Sequence, residues 1–284
     1  MSWQPALVLW ALVFAPTAFP QTIQPELTLV TLNLAHGRGT NFSQLLISND
    51  RFLPNIETIG AKLVPLNPDI VALQEADAAS AWSGNFNHVE KLALDLGLPN
   101  IVHGLHVNTW GVKYGTALIT RLSLSNQRVH NFASSWPTPA KGFTLATVVW
   151  QPSSEHAPKE VNVISLHLDF SRQSVRYSQL NELVSRLGEA KKPIITMGDF
   201  NSEEAALHYL HKQLKQNGIE LTAFDASSKL LNTYGERRLD WILISDEMTF
   251  SHYQVLDERL SDHRAVLAKI RWQKSPALIK GTSE

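Results

Sequence analysis

The sequence predicts an α/β protein built on mixed β-sheet, and three observations carry that expectation. Short apolar runs alternate with segments of helical spacing in the first hundred or so residues and again after residue 170. Between residues 100 and 168 the pattern is mostly β. Polar residues gather where the apolar runs begin or end, as they do when strands meet a functional rim. With 284 residues, 44% of them hydrophobic, and no linker, repeat or low-complexity segment between residues 26 and 272, one large domain is the simplest organisation.

Charge and cysteine content narrow the function. A net charge of −1 and a pI near 6.8 supply no global basic field for nucleic acid or an acidic membrane surface. The absence of cysteine excludes disulfides, thiolate nucleophiles and cysteine-based zinc sites together. Any metal has to be held by oxygen or imidazole.

Residues 1–22 differ from the rest. Ten apolar residues from Ala6 to Ala15 precede prolines and small residues, with no charged side chain before Glu26. The run is too short to span a bilayer and suits the apolar part of a secretory signal. The expectation is an exported protein whose mature chain begins between residues 18 and 25. An uncleaved anchor and a peripheral buried segment are the alternatives, because no Lys or Arg precedes the run.

Then "LTLVTLN" (27–33) reads as a strand ending in Asn33, and "DIVALQE" (69–75) as one ending in Glu75. Between them Ile56, Ile59 and Leu63 recur at helical spacing, giving a strand, helix, strand unit. "NHVEKLALDLG" is a second helix with Gly97 as its stop, followed by β runs at 114–120, 143–150 and 161–168. Leu180, Leu183, Val184 and Leu187 mark a longer helix. It leads into "KKPIITMGDFN", where the short strand Ile194 to Met197 stops at Gly198 and delivers Asp199 and Asn201 to the rim. "SEEAALHYLHKQLKQNG" opens on an N-cap serine and an acidic first turn and closes on Gly218, so it is a third punctuated helix. Three β runs (241–245, 249–256, 265–272) and a polar tail (273–284) complete the chain.

Asn33, Glu75, His167 and Asp199 lie at or near strand ends, while Asp240 and the pair Asp262 and His263 precede strands. In a mixed sheet, strands arriving at a rim and strands leaving it share that rim, so all of these residues can line one groove. Each has a plainer reading: Asp199 and Asn201 as loop-capping side chains, Asn33 as a backbone bridge, His167 as a half-buried histidine. Taken together, the plain reading demands the same accident at nearly every central strand.

The segments "TLNL", "PDIVALQEAD", "YGTALITR", "ISLHLDF", "MGDFN", "LDWILIS" and "SDHRAV", in this order over residues 27–272, resemble the endonuclease/exonuclease/phosphatase superfamily of deoxyribonucleases, abasic-site endonucleases, inositol-polyphosphate phosphatases and neutral sphingomyelinases. The resemblance implies a four-layer α/β/β/α sandwich, two packed mixed sheets flanked by helices, with a metal-dependent phosphoester hydrolysis site on one rim. It further implies that Glu75 is the principal metal ligand, with Asn33 close by and Asp262 joining it. Asp199 would prepare the water nucleophile and Asn201 would position water or a phosphate oxygen. His263, oriented by Asp240, would contact the scissile phosphate, and His167 would be a second histidine on the phosphate side. Thr116 stands where asparagine is frequent in the family, which puts one substrate contact in doubt.

Hard oxygen ligands point to Mg²⁺ or Mn²⁺. Lys141, before Gly142, is similar to a Lys-Gly pair of the sphingomyelinase branch, and Arg176 to an Arg-x-x-Gln of small bacterial relatives. Either could contact substrate or be a solvated surface cation. Trp82, Phe86 and His88 could stack on a base or pack on an acyl chain or sugar, or be core at a helix start. The reading is a monomeric phosphodiesterase for a lipid head group or small phosphodiester, sphingomyelinase-like. A nuclease is the alternative, less favoured because basic segments with interleaved aromatics are missing. A catalytically silent phospho-ligand-binding fold is a third, disfavoured by the intact polar set.

Overall fold

The computed structural model describes residues 22–187, 192–225 and 228–273. The apolar segment up to residue 21 and the tail from residue 274 lie outside the described residues. One sheet, here sheet A, has the order β11-β12-β1-β2-β4-β3, and sheet B has the order β5-β6-β7-β8-β10-β9. Sheet A comprises β1 (Glu26–Asn33), β2 (Ile70–Asp77), β3 (Asn100–Thr109), β4 (Val112–Thr120), β11 (Met248–Arg259) and β12 (Arg264–Trp272). Sheet B comprises β5 (Leu124–Asn131), β6 (Gly142–Trp150), β7 (Lys159–His167), β8 (Ile194–Asp199), β9 (Leu221–Ala223) and β10 (Asp240–Ser245). Both sheets are mixed: β1 runs parallel to β2, and β7 to β8, while the other pairings are antiparallel.

Three apolar layers hold this together. Leu29, Ala72 and Val266 of sheet A meet Val163, Met197 and Ile242 of sheet B between the sheets. Helices α1 (Phe52–Leu63) and α2 (His88–Leu96) cover the outer face of sheet A through Ile56, Ile59, Val89 and Leu92 against Val30, Leu32 and Val71. Helices α3 (Gln173–Leu187) and α4 (Glu204–Gln216) do the same for sheet B, with Leu180, Leu183 and Leu210 against Ile164, Leu166 and Leu243. The α/β/β/α sandwich follows from strands that are apolar on both faces, each sheet having a sheet on one side and helices on the other.

Local differences from the sequence pattern have local causes. Ser202 is not the N-cap of α4: Glu203 occupies that position, and the Ser202 hydroxyl accepts from the Ala206 N–H at 3.3 Å. Helix α2 is capped as its sequence suggests, by the Asn87 side chain and by Gly97 in the left-handed region. Strands β5 and β9 leave no apolar run in the sequence: most residues of β5 are exposed on the edge of sheet B, and β9 is only 3 residues long. Gly198 is required by close approach, since a Cβ there would sit 2.0 Å from the Leu166 carbonyl oxygen.

Thr116 is fully buried between the sheets. Its hydroxyl meets His106 Nε2 at 2.9 Å and the Thr144 hydroxyl at 2.8 Å, while His106 Nδ1 donates to Asn131 Oδ1 at 2.6 Å. This chain of bonds joins the two sheets beside Gly142. Burial presses the His106 imidazole down to about 4. The folded protein therefore resists protonation that the unfolded chain accepts, and this histidine's contribution is present above about pH 6.5 and lost as pH falls toward 4. In urea melts, the stability difference between wild type and His106→Gln is expected to narrow by about 2 kcal/mol between pH 7 and pH 4.5. A difference independent of pH would contradict this role.

Candidate active site

Side-chain alternation builds the site. Along β1 the residues facing sheet B run Leu27, Leu29, Thr31, Asn33, apolar first and polar at the end. On β7 the same face reads Val161, Val163, Ser165, His167; on β8 it reads Ile195, Met197, Asp199; on β10, read backwards, Ile244, Ile242, Asp240. A polar belt separates core from rim: the Gln74 amide donates to the Thr31 hydroxyl at 3.2 Å and the Ser165 hydroxyl at 3.1 Å. Above that belt the polar ends of both sheets converge.

Asp199 is the hub. Its carboxylate accepts from Asn33 Nδ2 at 3.0 Å, from the Asn201 backbone N–H at 2.8 Å and from Asn201 Nδ2 at 3.2 Å. His167 Nε2 lies 3.5 Å from it and His263 Nε2 3.8 Å. The other nitrogen of His263, Nδ1, donates to Asp240 at 2.8 Å, which fixes the ring's orientation. Tyr234 packs its ring 4.8 Å from that of His263.

Glu75 stands across from this cluster. It ends the regular pairing of β2 with β4 at a bulge, with φ of 46°. The left-handed backbone turns the carboxylate out of strict alternation and toward the rim. Four basic groups surround it: His36 at 3.3 Å, Lys141 at 3.5 Å, Arg38 at 3.7 Å and His167 at 3.9 Å. Arg38 also pairs with Asp262 at 2.5 Å, so one guanidinium bridges the two carboxylates.

Two of these basic groups, His36 and Arg38, were not singled out from the sequence, nor was Asp77. Asp77 accepts from His36 Nδ1 at 2.8 Å, and from Trp82 Nε1 and the Ser83 hydroxyl at 2.6 Å each. His36 is thereby a second histidine oriented by a buried carboxylate. The signal in the sequence was "NLAHGRG", a histidine and an arginine immediately beyond the Asn33 strand end. Trp82 joins the site through its stacking on Tyr114 and its contact with the His36 ring. His88 does not reach the rim: it is buried between Phe52 and Phe86 and bonds the Ser83 carbonyl at 2.9 Å. Arg176 is engaged locally, its guanidinium donating to the Asp169 carbonyl at 3.0 Å behind the loop that follows His167.

The electrostatics divide the site into two halves. Burial alone would raise Glu75, but His36, Lys141, His167 and Arg38 hold it well below the carboxylate range, so it is ionised. Asp199 is pushed up to about 7 by burial and by the Asp240 charge, against the pull of His263 and its hydrogen bonds. Burial would depress His263, yet the Asp240 and Asp199 carboxylates outweigh it and raise the ring to about 10. His263 is thus a cation at neutral pH. Burial and the Lys141 ammonium depress His167, whose neutral ring accepts from Lys141 Nζ at 3.0 Å.

The donor set suits a hard divalent cation. Glu75, Asp262 and the Asn33 amide offer oxygen atoms, and Asp262 Oδ1, shielded from solvent, has no hydrogen-bond partner among the described residues. Asp199, Asp240 and His263 also form a buried group whose ligand-type atoms lie within 4.8 Å of one another. In that second group Asp240 and His263 are already committed to each other.

Residues 30–263 match the sequence profile of the endonuclease/exonuclease/phosphatase family, and the chain belongs to that family. Among solved structures, a family member from Leptotrichia buccalis aligns with a TM-score of 0.66 and 18% identity, covering 87% of this chain and 100% of that one. The human Nocturnin catalytic domain with bound sulfate anion aligns at 0.65 and 20%, covering 88% and 96% respectively. A mannosyl-6-phosphatase from Bacteroides thetaiotaomicron aligns at 0.63 and 15%, covering 87% and 100%. No curated protein matches the sequence at a significant level. At these identities the structural likeness establishes the fold. Phosphoester hydrolysis is the general activity of the family.

Replacing Asp240 with asparagine removes the charge that holds His263 protonated. The His263 imidazole in Asp240→Asn, followed by NMR titration, is expected to fall from about 10 toward the ordinary histidine range. An unchanged titration would show that Asp240 does not govern the ring.

Proposed function

We propose that the protein is a divalent-metal-dependent phosphodiesterase that hydrolyses a lipid or small-molecule phosphodiester. The observation that carries this reading is the arrangement around Asp199: a carboxylate held near neutrality, fixed by Asn33 and Asn201, beside a cationic His263 and facing the ionised Glu75.

Hydrolysis forms a bond between a water oxygen and phosphorus and breaks the bond from phosphorus to the leaving oxygen. Asp199 is suited to take the proton from that water, because a base titrating near the working pH is effective and still reprotonates. Asn201, whose amide is anchored to the Leu168 carbonyl at 3.0 Å, keeps Asp199 from rotating. His263 Nε2 donates to a phosphoryl oxygen while Asp240 holds the ring, and the Lys141 ammonium offers a second positive charge on the Glu75 side. Glu75, Asp262 and Asn33 would hold Mg²⁺ or Mn²⁺, which when bound supplies Lewis-acid neutralisation of phosphate charge.

A chromogenic phosphodiester tests this directly. Activity is expected to vanish with excess chelator and to return with Mg²⁺ or Mn²⁺. Asp199→Asn and His263→Ala should each lower kcat by about 10²- to 10⁴-fold. The double variant should be far less impaired than the product of the two losses, because the residues act as one unit. Full activity in chelator, or strictly multiplicative losses, would overturn the assignment. A panel of sphingomyelin, glycerophosphodiesters, plasmid and single-stranded DNA separates the lipid reading from a nuclease, which would cleave only the last two.

A further inference from the structure

The loops beside the site share a property that the hydrolytic chemistry does not use. Phe42, Leu45, Leu46, Trp110, Trp136 and Phe170 are each at least 58% exposed. All six sit on segments that leave or enter the site end of a strand. Phe42, Leu45 and Leu46 lie between Arg38 and α1, on the chain that leaves β1 at Asn33. Trp110 occupies the turn between β3 and β4, and β4 pairs its Tyr114 with Asp77, two residues beyond Glu75. Trp136 lies in the loop from β5 to Lys141, and Phe170 three residues beyond His167. The fold thus brings four apolar loop tips to the mouth of one polar site.

The loops carrying five of these side chains are also free of charge. "GTNFSQLLISN" (39–49), "NTWGV" (108–112) and "NFASSWPTPA" (131–140) contain no Asp, Glu, Lys or Arg. Of the cations flanking these stretches, Arg38 is held by Glu75 and Asp262 and Lys141 by Glu75 and His167, while Arg51 and Lys113 are exposed just outside them. On the other half of the same rim, the segments around β10 and β12 carry Glu203, Glu204, Lys229, Glu236, Arg237 and Asp262. Apolar residues exposed in a group beside a functional site mark an interaction surface, whereas singly scattered ones do not.

We infer that this uncharged half of the rim docks on a zwitterionic phospholipid surface, presenting the site to a phosphodiester head group. The inference rests on the phosphodiesterase reading of the same site and specifies how its substrate is reached. Tryptophan and phenylalanine on loop tips suit the boundary between head groups and acyl chains, where a ring has both apolar and polar neighbours. A polyanion would need a cluster of exposed lysines and arginines, whereas these stretches have only Arg51 and Lys113 exposed at their edges. A protein seated on all four tips would cover the mouth of the site. A lipid surface instead supplies the substrate through it.

Flotation of the full chain with phosphatidylcholine vesicles tests the docking, with Trp110→Ser/Trp136→Ser as the comparison. Hydrolysis of a water-soluble chromogenic phosphodiester monitors the site independently. Wild type is expected to float with the vesicles at low and high salt, because apolar burial drives the contact. The double variant should lose at least about ten-fold in partitioning while keeping its chromogenic activity. Equal flotation of the two proteins, including the case in which residues 1–21 carry all the affinity, overturns the docking surface. Binding abolished by moderate salt also overturns it and points to a charged partner. Self-association of wild type without vesicles, lost in the double variant, reassigns the surface to a second copy of the chain. A wild type that floats but hydrolyses no phosphodiester refutes the enzymatic reading and leaves the docking surface standing.

Discussion

The hydrogen bond from the Asn33 amide to the Asp199 carboxylate joins sheet A to sheet B at the point where both turn polar. Much of the site's geometry depends on it. Asn33 Oδ1 accepts from the Ala35 N–H, which fixes the loop carrying His36 and Arg38 onto Glu75. Asp199 is in turn the carboxylate toward which His167, Asn201 and His263 are directed. A core of leucine, isoleucine and valine could bring the two sheets face to face in more than one sliding position. A buried amide and a buried carboxylate that satisfy each other leave far less latitude, because an unmade bond between such groups is costly.

The second constraint is charge. Glu75, Asp199, Asp240 and Asp262 meet at one end of the sandwich, and the fold tolerates them by interleaving His36, Arg38, Lys141 and His263. The distribution is uneven. Three of the four basic groups around Glu75 come from the loop after β1 or from the entry to β6, whereas His263 is held by Asp240 on the Asp199 side. The result is one carboxylate firmly ionised and another poised near neutrality, the division of labour that water activation requires. Left-handed backbone at Ala35, His36, Glu75 and Asn201 concentrates strain at the same place. Strain of this kind persists where surrounding structure dictates it, and it clusters at functional sites.

Much of this was legible in the sequence because period-two strands print their ends plainly. Asn33, Glu75, His167, Asp199 and Asp240 could be placed at one rim from the apolar runs they terminate or introduce. What remained hidden has physical causes. His36 and Arg38 lie in and beside a single 3-10 turn, too short to impose a periodicity. The bulge at Glu75 is one positive φ within the continuous strand β2 and leaves no mark in composition. Trp82 and His88 belong to one short segment, yet one faces the site and the other the core, a difference set by the Asp77 carboxylate and by the space beside Gly37. The N-cap of α4 moved by one residue because Ser202 could bond Ala206 without occupying the cap position.

The central claim is that a water molecule prepared at Asp199 attacks phosphorus. Hydrolysis of a phosphodiester in heavy-oxygen water, with mass spectrometry of both products, tests it most directly. The account predicts one heavy oxygen in the phosphoryl product, none in the released alcohol, and a severely slowed incorporation in Asp199→Asn. Label in the alcohol, or incorporation into the phosphoryl product at the wild-type rate in Asp199→Asn, would contradict it.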